Sequence, residues 1–168
     1  FYQHDGIDPV GIGRAMLRNL KQGSVEEGAS TITQQLARTV FLSQDRTILR
    51  KLSEVFLAGK LERQLSKQQI LEQYLNVVYL GSSAYGVADA AWIYFSKTPD
   101  QLNLPEAALI AGLPPAPSVY SPLVNPDLAL ERRATVLRRM REAGFIDDSQ
   151  LERANATALA LKPAEPKY

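Results

Sequence analysis

The sequence predicts an all-α fold. Two observations carry that expectation. No stretch of the 168 residues alternates apolar and polar positions with a period of two. Apolar residues recur instead at three- and four-residue spacing, between capping residues, glycines and prolines that punctuate the chain into short helices. No internal repeat is evident, and the length suits one domain, or two lobes of one, with enough chain to bury a core.

The elements follow in order. Asp8-Pro9 sets a cap before a proline at the first helical position, so a helix should run to about Gln22 and stop at Gly23. The polar stretch Gly23 to Ala29 (GSVEEGA) reads as a loop. Ser30 is the expected cap of a second helix reaching Val40. From Arg46 to Leu65, Ile48, Leu49, Leu52, Phe56, Leu61 and Leu65 keep near-helical spacing. Ser66 with Gln69 is a capping box for a fourth helix over Ile70, Leu71, Tyr74 and Leu75, ended by Gly81. A small-residue helix spans about Tyr85 to Phe95, and another runs from Pro105 to Gly112. Pro114, Pro115, Pro117 and Pro122 impose an extended connector. Asn125-Pro126 opens a further helix stopped by Gly144, and Asp147 with Gln150 caps the last one. The tail from Lys162 (KPAEPKY) reads as a linker or frayed end. About eight helices result.

Composition removes several kinds of chemistry. The chain has no Cys and one His, which excludes thiolate catalysis, a disulfide framework and a His-rich zinc site. Nineteen Lys plus Arg against 18 Asp plus Glu give a net charge of +1, without the global electrostatic footprint of a nucleic-acid binder. No apolar run approaches the ~18 residues of a membrane-spanning helix. Phe1 to Gly6 also lacks the features of a signal peptide. The start at an aromatic pair, without Met, reads as an excised domain whose anchor would lie upstream.

Three segments could carry chemistry. Phe1 to Gly6 (FYQHDG) holds the sole histidine, which on the residues alone reads as a locally bonded turn. Gly28 to Gln35 (GASTITQQ) brings hydroxyls and amides to a helix start. There backbone N–H groups suit phosphate or sugar oxygens. Capping by Ser30 is the plain alternative, and it leaves Gln34 and Gln35 unexplained. The third segment is a basic run with an embedded carboxylate. Arg46, Arg50 and Glu54 fall at i, i+4 and i+8, with Arg38 and Lys51 nearby. It is either a solvated salt-bridge ladder or a cationic clamp for a diphosphate. A second cluster of Arg132, Arg133, Arg138, Arg139 and Arg141 reads as a solvated face, or at most a contact to anionic lipid.

In sequence order, FYQHDG, GASTITQQLAR, RKLSEVFLAGKLE, KQQILEQYLNVVYLG, AYGVADAAWIYFSK and LPEAALIAGLPPAPSVYSP resemble the peptidoglycan glycosyltransferases. This is glycosyltransferase family 51, found in class A penicillin-binding proteins and monofunctional transglycosylases. The resemblance is continuous from Phe1 to about Pro122. It implies a glycosyltransferase domain over residues 1–161, with a lysozyme-like helical head and a small membrane-facing jaw lobe at roughly 39–60, and a linker or tail at 162–168. It further implies polymerisation of lipid II at the outer, periplasmic face of the cytoplasmic membrane. The partners would then be lipid II, the growing glycan strand and the membrane, with room for a transpeptidase domain in the parent chain and none for nucleic acid.

Carried over residue by residue, Glu54 matches the glutamate of the RKxxE motif and is the catalytic candidate. Arg50 and Lys51 match its basic pair, and Arg38 and Arg46 are expected on the donor phosphates. Ser30, Thr31, Gln34 and Gln35 would line the sugar cleft. His4 and Asp5 would support the site rather than transfer protons. A divalent cation (Mg or Mn) on the substrate diphosphate is compatible with the charge, with Glu54 the one ligand on offer.

This sequence departs from the family pattern at several points. The family's first motif opens with a Glu-Asp pair a few residues before this Phe1, and that Glu is its general base. The chain as given is therefore expected to be impaired. Arg38 stands where Lys is usual, Thr39 where Asn is usual, and Pro115 where Lys is common. Two alternatives stay open: a lysozyme-like glycan hydrolase, and a non-catalytic module that binds a lipid diphosphate. Apolar residues at Thr39 to Leu42 and Val55 to Leu57 point either to membrane contact or to jaw-lobe core.

Overall fold

A computed structural model describes residues 1–22, 30–42 and 47–166. Those residues form α1 (Pro9–Gln22), α2 (Ile32–Phe41), α3 (Ile48–Gln64), α4 (Lys67–Val77) and α5 (Gly86–Phe95). A 3-10 turn at Pro99–Gln101 precedes α6 (Leu104–Ala111), α7 (Pro117–Tyr120), α8 (Pro126–Glu142) and α9 (Asp148–Ala156). Among the described residues there is no strand, only an isolated antiparallel bridge between Tyr79 and Tyr85. The expected all-α class holds. The chain divides into two compact units, Phe1–Val77 and Val78–Tyr168.

In the first unit α2 packs on both α3 and α4. Its core gathers Leu36 and Ala37 of α2, Ala58 of α3, and Ile70 and Tyr74 of α4, all buried. The caps follow local chemistry. Asp8 accepts from the Gly11 amide at 2.8 Å, which holds its carboxyl below the usual aspartate range. Ser66 and Gln69 form the expected box before α4. Two starts differ from expectation. Thr31, not Ser30, caps α2 in a box with Gln34. Thr47 caps α3, which begins at Ile48 rather than Arg46.

The second unit is built around α8, with α6, α7 and α9 against it. Ala108, Leu137, Ile146 and Ala154 are buried together, and Leu104, Val136, Met140 and Leu151 pack around them. The fourth helix ends at Val77 instead of Gly81 because the backbone turns. Leu80 N–H donates to Ala84 and Gly86 N–H to Val78, through Gly81, Ser82 and Ser83 at positive φ. The proline connector is not wholly extended, since it holds α7. Lys162 and Ala164 donate backbone N–H to Tyr94 and Ile93 at the end of α5, so the tail is hydrogen-bonded there rather than frayed. The second arginine cluster is not a uniform solvated face either. Arg133 is buried and donates to the carbonyls of Asn155 and Thr157, and Arg132 lies over the Tyr120 ring.

Candidate active site

The candidate residues that the structure describes all lie in the first unit. Glu54 sits on α3 with its side chain fully buried. Lys51, one turn earlier, donates to Glu54 Oε1 at 2.7 Å and to Ser30 Oγ at 2.8 Å. One ammonium thus links α3 to the residue before the α2 cap. Glu54 Oε2 is buried with no protein partner, and so is Arg50 Nε. Each unpaired buried polar atom costs of the order of 1–3 kcal/mol, more when charged, and such atoms mark places where a ligand group belongs. Arg46 lies outside the described residues, so the i, i+4, i+8 register is seen only over Arg50 and Glu54. The partner of Glu54 is Lys51.

The Ser30 to Gln35 stretch is explained residue by residue. Thr31 Oγ1 accepts the Gln34 amide at 3.2 Å and donates to the Gly6 carbonyl at 2.7 Å. The Gln34 side chain returns the cap by accepting the Thr31 N–H at 2.9 Å. Capping therefore does account for Gln34, against the reading from sequence. Gln35 Nε2 donates to the Ser30 carbonyl, while its Oε1 accepts the Tyr74 hydroxyl at 3.1 Å. Burial pushes the Tyr74 hydroxyl pKa up, with the charge of Arg38 pulling the other way. That coupling sets Arg38, in the last turn of α2, near the same wall.

Phe1 to Gly6 is anchored on this wall. Besides the Thr31 bond at Gly6, Lys67 Nζ donates to the His4 carbonyl, pairs with Glu62 Oε1 at 2.8 Å and stands 4.6 Å over the Phe1 ring. Glu62 Oε1 also accepts from the buried Thr33 at 2.5 Å. His4 is half-buried with Nδ1 unpartnered, while Asp5 is exposed. Sequence reasoning missed Glu62, Lys67 and Tyr74, and it set the Thr33 hydroxyl among ligand-binding groups where the structure pairs it with Glu62. Glu62 and Lys67 look like ordinary charges on helix surfaces, and no local spacing joins them to His4.

An apolar face borders the site on the same helices. Val40, Phe41, Ile48, Leu49, Leu52 and Phe56 are each 51–82% exposed, so they are not lobe core. An open groove of about 470 Å³ lies among Leu42, Leu52, Ser53, Phe56 and Leu57. No described helix is long and apolar enough to cross a membrane. Among the described residues no group of three or more His, Asp or Glu could hold a metal ion, so a cation at Glu54 would need ligands from a substrate.

The profile of the transglycosylase family matches residues 1–141, and the chain belongs to that family. It is 54% identical over 159 residues to penicillin-binding protein 1A of Escherichia coli strain K12, covering 95% of this chain and 19% of that protein. It is 51% identical over 168 residues to penicillin-binding protein 1A of Aquifex aeolicus, covering 100% of this chain and 23% of that one. The crystal structure of penicillin-binding protein 1A from Haemophilus influenzae matches with a TM-score of 0.57 and 34% identity. That match covers 80% of this chain and 17% of the other. The chain thus spans about a fifth of the length of the relatives it matches. Its fold is the lysozyme-like helical one expected for this family.

Proposed function

We propose that this chain is a peptidoglycan glycosyltransferase that polymerises lipid II into linear glycan strands, by inverting transfer with release of undecaprenyl diphosphate. The buried Glu54, held by Lys51 that also reaches Ser30, is the observation that carries this reading. Breaking a sugar–diphosphate bond builds positive charge at the anomeric carbon and negative charge on the leaving phosphates. Arg50, Lys51 and Arg38, joined by Arg46 from outside the described residues, are suited to the phosphates. The open Oε2 of Glu54 is suited to a donor-sugar hydroxyl or to a cation on the diphosphate. Such a cation (Mg or Mn) would be held by Glu54 and the phosphates, and would help to neutralise the leaving group.

Ser30 and Gln35, half-buried, face the sugar in this reading, while Thr31 and Gln34 hold the wall from buried positions. A hydrolase of uncharged glycosidic bonds has no use for this concentration of cations. The exposed apolar face is read as the contact with the outer leaflet of the cytoplasmic membrane, where a lipid-linked donor is found. Phe41→Ser with Phe56→Ser is then expected to lower liposome flotation several-fold while the thermal midpoint stays within a few degrees. Flotation equal to the parent's would remove the membrane role.

Incubation with fluorescent lipid II of a chain extended upstream of Phe1 through the family's first motif tests the activity. Growth of a muramidase-sensitive polymer with release of undecaprenyl diphosphate is expected. Shortening of preformed glycan without any lipid-linked donor would point to a hydrolase. Tight binding of a lipid diphosphate without turnover would point to a binding module.

A further inference from the structure

The strongest unassigned feature is the polar cluster that ties the Phe1–Gly6 segment to α2, α3 and the start of α4. Lys67 has three engagements at once: the His4 carbonyl, the Glu62 carboxylate at 2.8 Å and the face of the Phe1 ring. Glu62 Oε1 is shared between Lys67 and Thr33, and Thr33 is fully buried on α2. The Glu62 and Lys67 side chains keep only 7% and 20% of their exposure. A buried ion pair of this kind is a poor source of stability, since its desolvation cost offsets much of the attraction. It is a good device for fixing one geometry. What it fixes here is the backbone at His4, the chain's only histidine, whose Nδ1 is buried and without a partner.

The same segment is tied a second time, at Gly6, by Thr31. Thr31 is the neighbour of Ser30, which accepts from the Lys51 ammonium that holds Glu54. His4 and Glu54 are thus both referenced to one helix start, through separate chains of bonds. Gly6 fits this close approach because its φ of +82° suits glycine, and a Cβ there would stand 3.1 Å from Glu62 Cγ. We propose that Glu62 and Lys67 form a positioning clamp. Anchored by Thr33, it holds the Phe1–Gly6 segment so that the His4 imidazole keeps a fixed place relative to the α2 start, to which Lys51 also ties Glu54. The clamp acts through His4 and touches no reacting atom.

The inference rests on the glycosyltransferase reading for its kinetic consequence only. Removing Lys67 alone would strand the Glu62 charge, so the paired variant Glu62→Gln with Lys67→Met is the cleaner test. Misplacement of a site group by about 1 Å costs up to 10²-fold in rate. The double variant should lose about 10- to 100-fold in kcat for lipid II, with KM within about threefold of the parent. Lys67→Arg, which keeps the charge and can still donate to Glu62, should recover part of the loss. The sole histidine provides a second readout that needs no turnover. Its imidazole NMR signal should shift and broaden in the double variant and return towards the parent position in Lys67→Arg.

An unmoved imidazole signal with parental kcat would overturn the clamp. If the double variant does not fold, an unshifted signal and parental kcat in Glu62→Gln alone would overturn it equally. If the parent, extended upstream of Phe1 through the family's first motif, does not polymerise lipid II, the glycosyltransferase reading fails, and the imidazole signal still decides the clamp.

Discussion

At Glu54 one carboxylate oxygen holds an ammonium and the other is buried without a protein partner. An open oxygen of this kind supports the proposed binding role, since a core ion pair is normally satisfied on both oxygens. The pairing of Glu54 with Lys51 was legible in the RKxxE pattern, because three-residue spacing on a helix brings the two together whatever surrounds them. The Thr33–Glu62–Lys67 cluster was not legible, because its members meet across three helices and their use depends on where Phe1 to Gly6 lies. Glycines make the same distinction between local and tertiary causes. Gly81 and Gly144 have nearly equal φ, +84° and +78°. A Cβ on Gly81 would stand 2.4 Å from the Pro117 carbonyl, whereas one on Gly144 meets nothing within 4 Å. Gly144→Ala should therefore cost about 1–2 kcal/mol, from backbone strain alone. Gly81→Ala should cost more, above about 2 kcal/mol, because the backbone must also move. Urea midpoints at unchanged m-value measure both, and equal shifts would contradict the difference in packing.

Helix α2 shows how an element's start can serve the site. Four of its first residues, counted from Thr31, bond outward or back to the cap, and their partners lie on the Phe1–Gly6 segment, α3 and α4. Starts governed by i to i+3 chemistry alone were read correctly at Asp8, Ser66 and Asp147, since the capping partner is close in sequence. At Ser30-Thr31 two hydroxyls compete for one cap. Their tertiary partners, Lys51 for Ser30 and Gly6 for Thr31, decide between them. The tail was misread for the same reason, as its bonds go to α5. Thr31→Ala should cost about 1–2 kcal/mol by removing both the cap and the Gly6 bond. Thr31→Ser keeps both and should cost a few tenths. Thermal midpoints of the two variants test this, and equal midpoints would remove the cap from the account.

Over the whole molecule, each unit keeps one tyrosine hydroxyl in its interior. Burial raises the pKa of Tyr74 in the first unit and Tyr94 in the second above the ordinary 10.0. Below pH 10 both folded and unfolded chains hold these protons, and the stabilising contribution is complete. As pH rises further the unfolded chain releases them first, so stability falls through the folded pKa values. Melting temperature should thus decline above about pH 10, and Tyr94→Phe should flatten part of that decline. A pH-independent midpoint from 8.5 to 11 would contradict the burial of both hydroxyls. The two-unit division follows the chemistry, since the described candidate residues and the bordering apolar face all lie in Phe1–Val77. The most direct test is lipid II polymerisation by a chain extended upstream of Phe1 through the family's first motif, with Glu54→Gln, which keeps the shape and removes the charge. A fall of about 10²–10³-fold in kcat/KM, with the fold intact by circular dichroism, is predicted. Turnover within a few-fold of the parent would contradict the account.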